Sequence, residues 1–181
     1  MNNINDYKIR KTKPGDVLAL HDIYLKTWLD TYPNKEFNIT TEDIIFKYES
    51  RLKPEIIKER ENKIAQIGEN ELMLVVEKDS KLVGLCNTIK KENNNEIQAI
   101  YILPEYQRLG LGAALWKEAQ KIFNPEKETV VHVASYNEKA INFYKKLGFQ
   151  STGKITFSEF SKMRNGAAIP ELEMIIKKQP G

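Results

Sequence analysis

One segment constrains the fold of this chain more than any other: AIYILPEYQRLGLGAA, residues 99–114. Apolar residues that stop at Pro104 predict a buried strand, and the alanines after the second glycine predict a helix. The first turn of a helix carries about four unpaired N–H groups and a partial positive charge. Gly110 and Gly112 lack the side chains that would keep an anion away from these amides. The segment therefore predicts a strand–turn–helix unit whose turn can hold a phosphate.

Two common phosphate motifs do not fit this turn. A P-loop places Lys and then Ser or Thr directly after its last glycine, whereas Ala113 and Ala114 follow Gly112 here. A dinucleotide fingerprint needs a third small residue where Leu115 stands, and an acid about 20 positions later, where this chain reads VVHV. An isolated G-x-G can also be a purely structural turn. The phosphate interpretation therefore depends on the strand before the turn and on a second motif downstream.

The second informative segment is ASYNEKAINFYKKLGF, residues 134–149. It predicts the end of a strand and then a short helix that Asn137 can cap and Gly148 can end in a left-handed conformation. Ala140 and Tyr144 are four residues apart and therefore share one face of this helix. The small residue beside Tyr144 leaves space for a ligand, although a Phe-Tyr pair can also belong to a core.

Together the two segments resemble the acyl-coenzyme A core of the GNAT N-acetyltransferase superfamily. Residues 107–112 match Gln/Arg-x-x-Gly-x-Gly/Ala, and residues 137–149 fill every fixed position of Asn-x-x-Ala-x-x-Phe-Tyr-x-x-x-Gly-Phe. The resemblance covers residues 72–178, and residues 27–32 are similar to the first helix of some bacterial polyamine-acetylating members. It implies an α/β fold (α and β mixed) with a central twisted, mostly antiparallel sheet of about seven strands, flanked by helices.

The resemblance also implies acetyl-CoA as cosubstrate. The backbone of the glycine turn would hold the pyrophosphate, and the main chain of the preceding strand would pair with the pantetheine arm like an added strand. Asn137 would either cap its helix or donate a hydrogen bond to the arm. The predicted cofactor-binding residues are Ile100, Ile102, Gln107, Arg108, Leu109, Gly110, Leu111, Gly112, Ala113, Asn137, Ala140 and Tyr144.

The implied reaction is direct transfer of an acetyl group to an amine. An alkylammonium has a pKa near 10.4, so making it neutral at pH 7 costs about 4.6 kcal/mol. Glu96 is the candidate for the base that takes this proton, with a solvent-facing strand residue as the alternative. Tyr144, whose phenol stays protonated at pH 7, is the candidate acid for the leaving thiolate. Cys86 lies within a strand and nothing near it indicates an activated nucleophile.

The acceptor is predicted less directly. Trp28, Asp30 and Tyr32 could bind a cationic amine through ring faces and a carboxylate, or Trp28 could be core and Tyr32 part of a turn. A polyamine such as spermidine or spermine is the first hypothesis. A peptide N-terminus and an aminoglycoside-like amine are alternatives, and a non-catalytic acyl-CoA sensor on the same fold is the alternative from another class.

Composition narrows the remaining classes of function. A net charge of +3, spread along the chain, does not favour nucleic acid. One cysteine excludes an intramolecular disulfide, and two distant histidines argue against a metal site. The sequence lacks an apolar run of membrane-spanning length, so we expect no membrane association and a cytoplasmic protein. The resemblance also allows a homodimer.

Periodicity and turn residues predict one domain over residues 1–181. Residues 1–70 form its N-terminal, acceptor-side part, and residues 71–178 form the cofactor core. The predicted strands are 7–11, 72–77, 81–90, 96–103, 129–134, 149–156 and 171–177. Asp16 is predicted to cap the first helix and Thr40 or Thr41 the second, and a third helix begins at Pro54 and runs towards Gly68. Two more predicted helices span 110–123 and 138–147, and 158–168 is a predicted loop.

Overall fold

A computed structural model describes residues 6–177 of the chain, so the outermost residues of the predicted domain, 1–5 and 178–181, lie outside the described part. Seven strands form one sheet, and five α-helices pack on it. The strands are β1 (Lys8–Lys11), β2 (Glu71–Lys78), β3 (Lys81–Lys90), β4 (Asn95–Ile102), β5 (Thr129–Ala134), β6 (Gln150–Phe157) and β7 (Pro170–Ile176). The helices are α1 (Val17–Thr31), α2 (Thr41–Glu49), α3 (Pro54–Ala65), α4 (Leu111–Ala119) and α5 (Glu138–Lys146).

The strands follow the order β1-β2-β3-β4-β5-β7-β6 across the sheet. All neighbouring pairs are antiparallel except β4 and β5, which are parallel because the chain crosses over between them through α4. This arrangement confirms the mixed, mostly antiparallel sheet with flanking helices that the sequence predicts. The insertion of β7 between β5 and β6 brings the last strand of the chain into the middle of one half of the sheet.

The parallel pair is short, and its two strands separate. β4 pairs with β3 along its whole length to Ile102, but it pairs with β5 only over Asn95–Ile97. A shift in the β3–β4 register, from Thr88–Ile97 to Asn87–Ala99, makes Gln98 the extra residue of a bulge. Beyond this bulge the β5-facing edge of β4 pairs with no described strand.

Different helices cover the two faces of the sheet. On one face α4 and α5 bury Trp116 and Tyr144 against Val131, Val133 and other residues of β5 and β7. On the other face the aromatic residues of α1 and α2, which include Trp28 and Tyr48, pack near the ends of β5 and β7. The separation of β4 and β5 therefore lies between a helix layer with Tyr144 and a helix layer with Trp28.

Most predicted elements are present, and their boundaries differ for local reasons. The predicted helix 110–123 ends as α4 at Ala119 and continues as one 3₁₀ turn, Gln120–Ile122. The helix that starts at Pro54 ends at Ala65 rather than near Gly68, and the predicted loop 158–168 contains a 3₁₀ turn, Glu159–Ser161. Thr40 caps α2 as predicted, since its Oγ1 accepts a hydrogen bond from the Asp43 amide at 3.1 Å.

Asp16 corrects one prediction, because its side chain does not cap α1. Its carboxylate accepts the Lys13 amide at 2.9 Å and pairs with Arg10, with Nη1–Oδ2 at 2.7 Å. Arg10 also donates to Glu77 at 2.8 Å, so one guanidinium joins β1, β2 and the start of α1. The ion pair with Arg10, 6 residues earlier, has replaced the local cap.

Two general expectations concern the described residues only. Among the helices within residues 6–177, none is long and apolar enough to cross a membrane. Within the same range, no three His, Cys, Asp or Glu side chains are grouped so that they could ligate a metal ion.

Candidate active site

The glycine turn between β4 and α4 adopts an unusual backbone. Arg108 (φ 62°) and Gly110 (φ 81°) both have left-handed conformations, which glycine adopts without cost and an L-residue such as arginine does not. Gln107, Arg108 and Gly110 are exposed, whereas the side chain of Leu111 is buried at the start of α4. The turn is therefore held by Leu111 and by the partly buried Leu109, and its exposed residues lie where an anion can reach the amides of the helix start.

Close packing explains why residue 112 is a glycine, a reason that the sequence did not suggest. A Cβ at this position would lie 3.1 Å from Cζ of Phe143 and 3.8 Å from Cγ2 of Ile100. The absence of a side chain therefore allows α4 to approach α5 and β4 closely. Ala113, next to it, is exposed, so the two helix-start residues face different surroundings.

The open edge of β4 fits an extended ligand. Leu103 donates its N–H to the carbonyl of Val83 on β3 at 2.9 Å, and this bond fixes the alternation of backbone groups along β4. The N–H and C=O of Tyr101 point to β3, whereas those of Ile100 and Ile102 point to the opposite edge. On that edge the carbonyl of Ile102 accepts a hydrogen bond from Nε2 of Gln107 at 3.1 Å. The N–H groups of Ile100 and Ile102 and the carbonyl of Ile100 remain available to pair with an added strand.

Tyr144 is buried beside this edge, on the α5 side. Its ring contacts Phe143 and Phe149 edge to face, with centroids 5.1 and 5.4 Å away. Burial raises the pKa of the Tyr144 phenol far above its ordinary value, and Cys86 and Tyr101 add to the rise. The hydroxyl is therefore protonated at neutral pH and can act as a proton donor.

Asn137 caps α5 in the structure. Its Oδ1 accepts a hydrogen bond from the Ala140 amide at 3.1 Å, which satisfies one of the unpaired donors of the helix start. Ala140 is partly buried in the same cluster as Tyr144. The structural role of Asn137 is thus visible in the contacts, and its contact with a cofactor stays a prediction.

A cavity of about 550 Å³ opens on the other face of the sheet. Its aromatic residues come from α1 and the residue after it, from β4, and from the end of β6 and the segment that follows: Tyr24, Trp28, Tyr32, Tyr101, Phe157 and Phe160. Its polar residues come mainly from β3, β4, β5 and β7: Asn87, Lys91, Glu96, Gln98, His132 and Glu171. The cavity combines apolar walls with two carboxylates, a combination suited to an alkyl chain that carries positive charge.

The structure brings two of the three predicted acceptor residues to this cavity. Trp28 and Tyr32 line it, and their rings lie 4.7 Å apart, edge to face. Asp30 is exposed on α1 and does not line the cavity. Because Trp28 is 2% exposed, it also serves as core, so the two interpretations of this residue are both consistent with its position.

Glu96 lines the cavity at the start of β4, where 16% of its side chain is exposed. Its carboxylate is paired with the ammonium of Lys91, which lies on the turn before β4 and lines the same cavity. The candidate base is therefore placed among the acceptor-side residues, but with a cation of the protein already bound to it.

Sequence reasoning missed Glu171 and His132. Burial raises the pKa of Glu171, and nearby His132 partly offsets that rise. Strand alternation was the available signal: in β5 the apolar Val131 and Val133 point to the core, so His132 must point to the other face. The signal was not decisive, because nothing in the sequence indicates that β7 lies next to β5.

An open strand edge, a glycine turn at a helix start and a buried phenol between them define a protein that binds an acyl donor with an extended, phosphate-bearing arm. A family model described as "Acetyltransferase (GNAT) domain" matches residues 38–164, and the chain therefore belongs to the GNAT acetyltransferase family. It is an acetyl-CoA-dependent N-acetyltransferase, and the predictions of family, enzyme class and cosubstrate are confirmed.

Curated relatives include acetyltransferases with different acceptors in their names. The chain is 30% identical over 148 residues to a spermidine N(1)-acetyltransferase of Thermoplasma acidophilum, a match that covers 79% of this chain and 88% of the relative. It is 39% identical over 75 residues to an N-alpha-acetyltransferase of Sulfurisphaera tokodaii, which covers 39% of this chain and 42% of that protein.

Solved structures support the fold. The PaiA N-acetyltransferase of T. acidophilum, solved in complex with coenzyme A, superposes with a TM-score of 0.70 at 24% identity and covers 94% of this chain and 98% of that one. The spermidine N-acetyltransferase of Vibrio cholerae, solved with coenzyme A and spermine, gives a TM-score of 0.64 at 23% identity, with 96% of each chain covered.

Proposed function

We propose that this enzyme acetylates a primary amine of a small polycation such as spermidine or spermine. The observation that carries the proposal is the pair of carboxylates, Glu96 on β4 and Glu171 on β7, that line one aromatic cavity. A polyamine is an alkyl chain with several ammonium groups, so it matches both the apolar walls and the two acids. The T. acidophilum spermidine acetyltransferase supports the same substrate class.

The cofactor would lie on the opposite side of the β4–β5 opening. The turn at Gln107, Arg108, Leu109, Gly110 and Leu111 would hold its pyrophosphate, with Gly112 and Ala113 at the helix start. The main chain of Ile100 and Ile102 would pair with its pantetheine arm, and Asn137 and Ala140 would lie beside it. When bound, acetyl-CoA supplies the activated acetyl group at a thioester.

Two residues have proposed roles in proton transfer. Tyr144 would donate its hydroxyl proton to the leaving sulfur, a role that its burial and raised pKa support. Glu96, with its negative charge in the cavity, would attract the acceptor's ammonium group. Removal of the ammonium proton, which costs about 4.6 kcal/mol at pH 7, needs a base on the acceptor side.

An N-terminal peptide is a second candidate acceptor, because cations of the protein border the same aromatic wall. Nζ of Lys47 lies 5.7 Å from the centroid of Trp28, and the guanidinium of Arg51 lies 5.1 Å from that of Phe160. These cations repel the far end of a polycation and attract a carboxylate. The N-alpha-acetyltransferase of S. tokodaii supports this alternative.

Release of coenzyme A thiol tests the proposal, with acetyl-CoA and a panel of spermidine, spermine, lysine, a short peptide and an aminoglycoside. The protein adds little background, because burial raises the pKa of Cys86 to about 12 and keeps its thiol unreactive. We expect thiol release with the polyamines. Release with the peptide alone would favour the second candidate. Thermal stabilisation by acetyl-CoA without release on any amine would indicate a sensor and contradict the proposal.

A further inference from the structure

We propose that His132, oriented by Glu173, is the catalytic base that takes the proton from the acceptor's ammonium group. This inference rests on the proposed function and adds a residue to which neither the sequence patterns nor the relatives assign a role. Its basis is the position of the imidazole in the sheet, the state of the competing carboxylate Glu96, and the charges that surround the ring.

The position of His132 follows from the β4–β5 pairing. The paired segment ends at Ile97 of β4 and Val131 of β5, so His132 is the first residue of β5 after the strands separate. Its side chain points to the acceptor cavity, since Val131 and Val133 point to the core on the α5 side. Glu96 is level with Val130, two residues from His132 and roughly 7 Å further from the opening at the usual strand rise.

Glu96 is less available as a proton acceptor. The Lys91 ammonium already binds its carboxylate, so an incoming proton would have to compete with this ion pair. Glu96 can therefore contribute to the negative field of the cavity while another group takes the proton.

The residues around His132 suit a base that becomes a cation. On β7, Oε2 of Glu173 lies 3.7 Å from Nε2 of His132, and Glu171 lines the cavity beside it. Lys154 of β6 reaches Glu173 at 3.1 Å, and on the β4 side the charges are Glu96 and its partner Lys91. Three carboxylates and two lysines therefore surround the ring, and the net charge of these neighbours is negative.

The tautomer follows from the same contact. Nε2 lies 3.7 Å from Oε2 of Glu173, and this carboxylate favours the neutral tautomer with its ring proton on Nε2, which leaves the lone pair on Nδ1 to accept a proton. The side chain is 31% exposed, so the protonated ring can return its proton to solvent between turnovers. Glu173 is a positioning residue in this arrangement, because it acts on the substrate only through His132.

The protons balance over the reaction. The amine nitrogen forms a bond to the carbonyl carbon of the thioester, and the carbon–sulfur bond breaks. The ammonium loses two protons: His132 takes one and passes it to solvent, and the other replaces, through solvent, the proton that Tyr144 gives to the sulfur. An ordinary imidazole is about two pKa units more basic than a carboxylate, so it receives a proton from an alkylammonium about 10²-fold more favourably.

The first test compares His132→Gln with wild type and Glu96→Gln over pH 6–9.5, as kcat/KM for the best amine of the panel. For wild type, kcat/KM should rise with pH at the acid end of this range (the acid limb) and then level off. His132→Gln should lose about 10² in rate at pH 7 and then gain tenfold per pH unit, because only amine that is already neutral reacts. Glu96→Gln should keep the acid limb and raise KM.

The second test does not need turnover. The chain has only two histidines, so its histidine side-chain NMR spectrum contains two sets of signals, which His132→Gln assigns. Spermidine added without acetyl-CoA should shift the His132 signals and leave those of His21 unchanged. Glu173→Gln should also shift the His132 signals, because the carboxylate beside the ring is removed.

Three outcomes would overturn the inference. The first is a His132→Gln variant whose rate loss is the same at every pH, which would indicate a structural role. The second is loss of the acid limb in Glu96→Gln, which would place the base there. In both cases an active wild type leaves the proposed function intact. The third is a wild type that acetylates no amine, and this would remove the proposed function together with the inference. Unchanged stabilisation of His132→Gln by acetyl-CoA shows that this variant is folded.

Discussion

At the scale of single residues, burial decides how Tyr144 and Glu171 ionise. Both side chains lie in or beside the β4–β5 opening, and burial raises both pKa values. For Tyr144 the rise keeps a phenol protonated, which is the form a proton donor needs. For Glu171 the rise means that the charged form is held at a cost, as is common for carboxylates in binding sites.

Replacement of Tyr144 by Phe tests the proposed acid. The variant keeps the ring and its contacts with Phe143 and Phe149 and loses only the hydroxyl. We expect kcat to fall by about 10²–10⁴. Stabilisation by acetyl-CoA, measured by thermal shift, should be nearly unchanged. An unchanged kcat would remove Tyr144 as the acid.

Replacement of Glu171 by Gln tests the cost of its charge. A carboxylate whose pKa is raised on folding destabilises the folded state above its unfolded pKa, so the neutral amide should increase stability at pH 7. We expect the unfolding midpoint to rise by about 1–3 °C at pH 7 and the gain to vanish near pH 3, where Glu171 is protonated in both states. Loss of stability at pH 7 would show that the ionised form is well compensated.

At the scale of elements, the contact between α4 and α5 sets the geometry of the cofactor side. Gly112 at the start of α4 lies against the ring of Phe143 on α5, and the same helix start presents its amides to the predicted phosphate site. Gly112 therefore affects both the packing of α4 on α5 and the position of the predicted phosphate site. A larger residue would move the helix start and the ring relative to each other.

Replacement of Gly112 by Ala should reduce stability by about 1 kcal/mol, because the new Cβ would lie 3.1 Å from Cζ of Phe143. Gly15→Ala is the matched control, since a Cβ there meets nothing within 4 Å. Urea unfolding measures both variants. The double variant Gly112→Ala/Phe143→Leu should recover part of the loss. Equal stability of Gly112→Ala and the control would show that Phe143 moves aside without cost.

At the scale of the whole molecule, the guanidinium of Arg10 holds β1 to two neighbouring elements. Its guanidinium pairs with Asp16 at the start of α1 and with Glu77 on β2. Burial alone would raise the pKa of Asp16, but hydrogen bonds from Arg10 and the Lys13 amide outweigh it and lower the pKa below its ordinary value. The stabilisation is therefore present above the unfolded pKa of Asp16 and is lost as pH falls through the folded pKa.

Replacement of Asp16 by Asn should reduce the free energy of unfolding at pH 7 by about 2–4 kcal/mol, because Arg10 loses a buried partner. The difference from wild type should shrink as pH falls below about 4. Glu59→Gln is the control: it removes an exposed pair with Lys63 and should change little. Equal losses for the two variants would contradict the proposed role of Asp16.

Much of the fold and part of the site could be predicted from local sequence. Apolar periodicity and turn residues place the strands and helices, and the glycine turn and the Tyr144 helix are continuous segments whose residue types match their chemistry. The acceptor side was less predictable. Asp30 is a predicted carboxylate for a cationic amine, yet it lies outside the cavity that Trp28 lines, since residues two apart on a helix do not share a face.

The sequence by itself determined the order of elements, the family and the residues of the cofactor turn, because each depends on contacts within a short segment or on a contiguous motif. Only the tertiary structure decided which residues form the acceptor cavity. His132, Glu96 and Glu171 lie on β5, β4 and β7, and they come together because β7 inserts between β5 and β6 and because β4 separates from β5 after Val131. Strand pairing of this kind depends on the packing of the whole sheet, which no local pattern encodes.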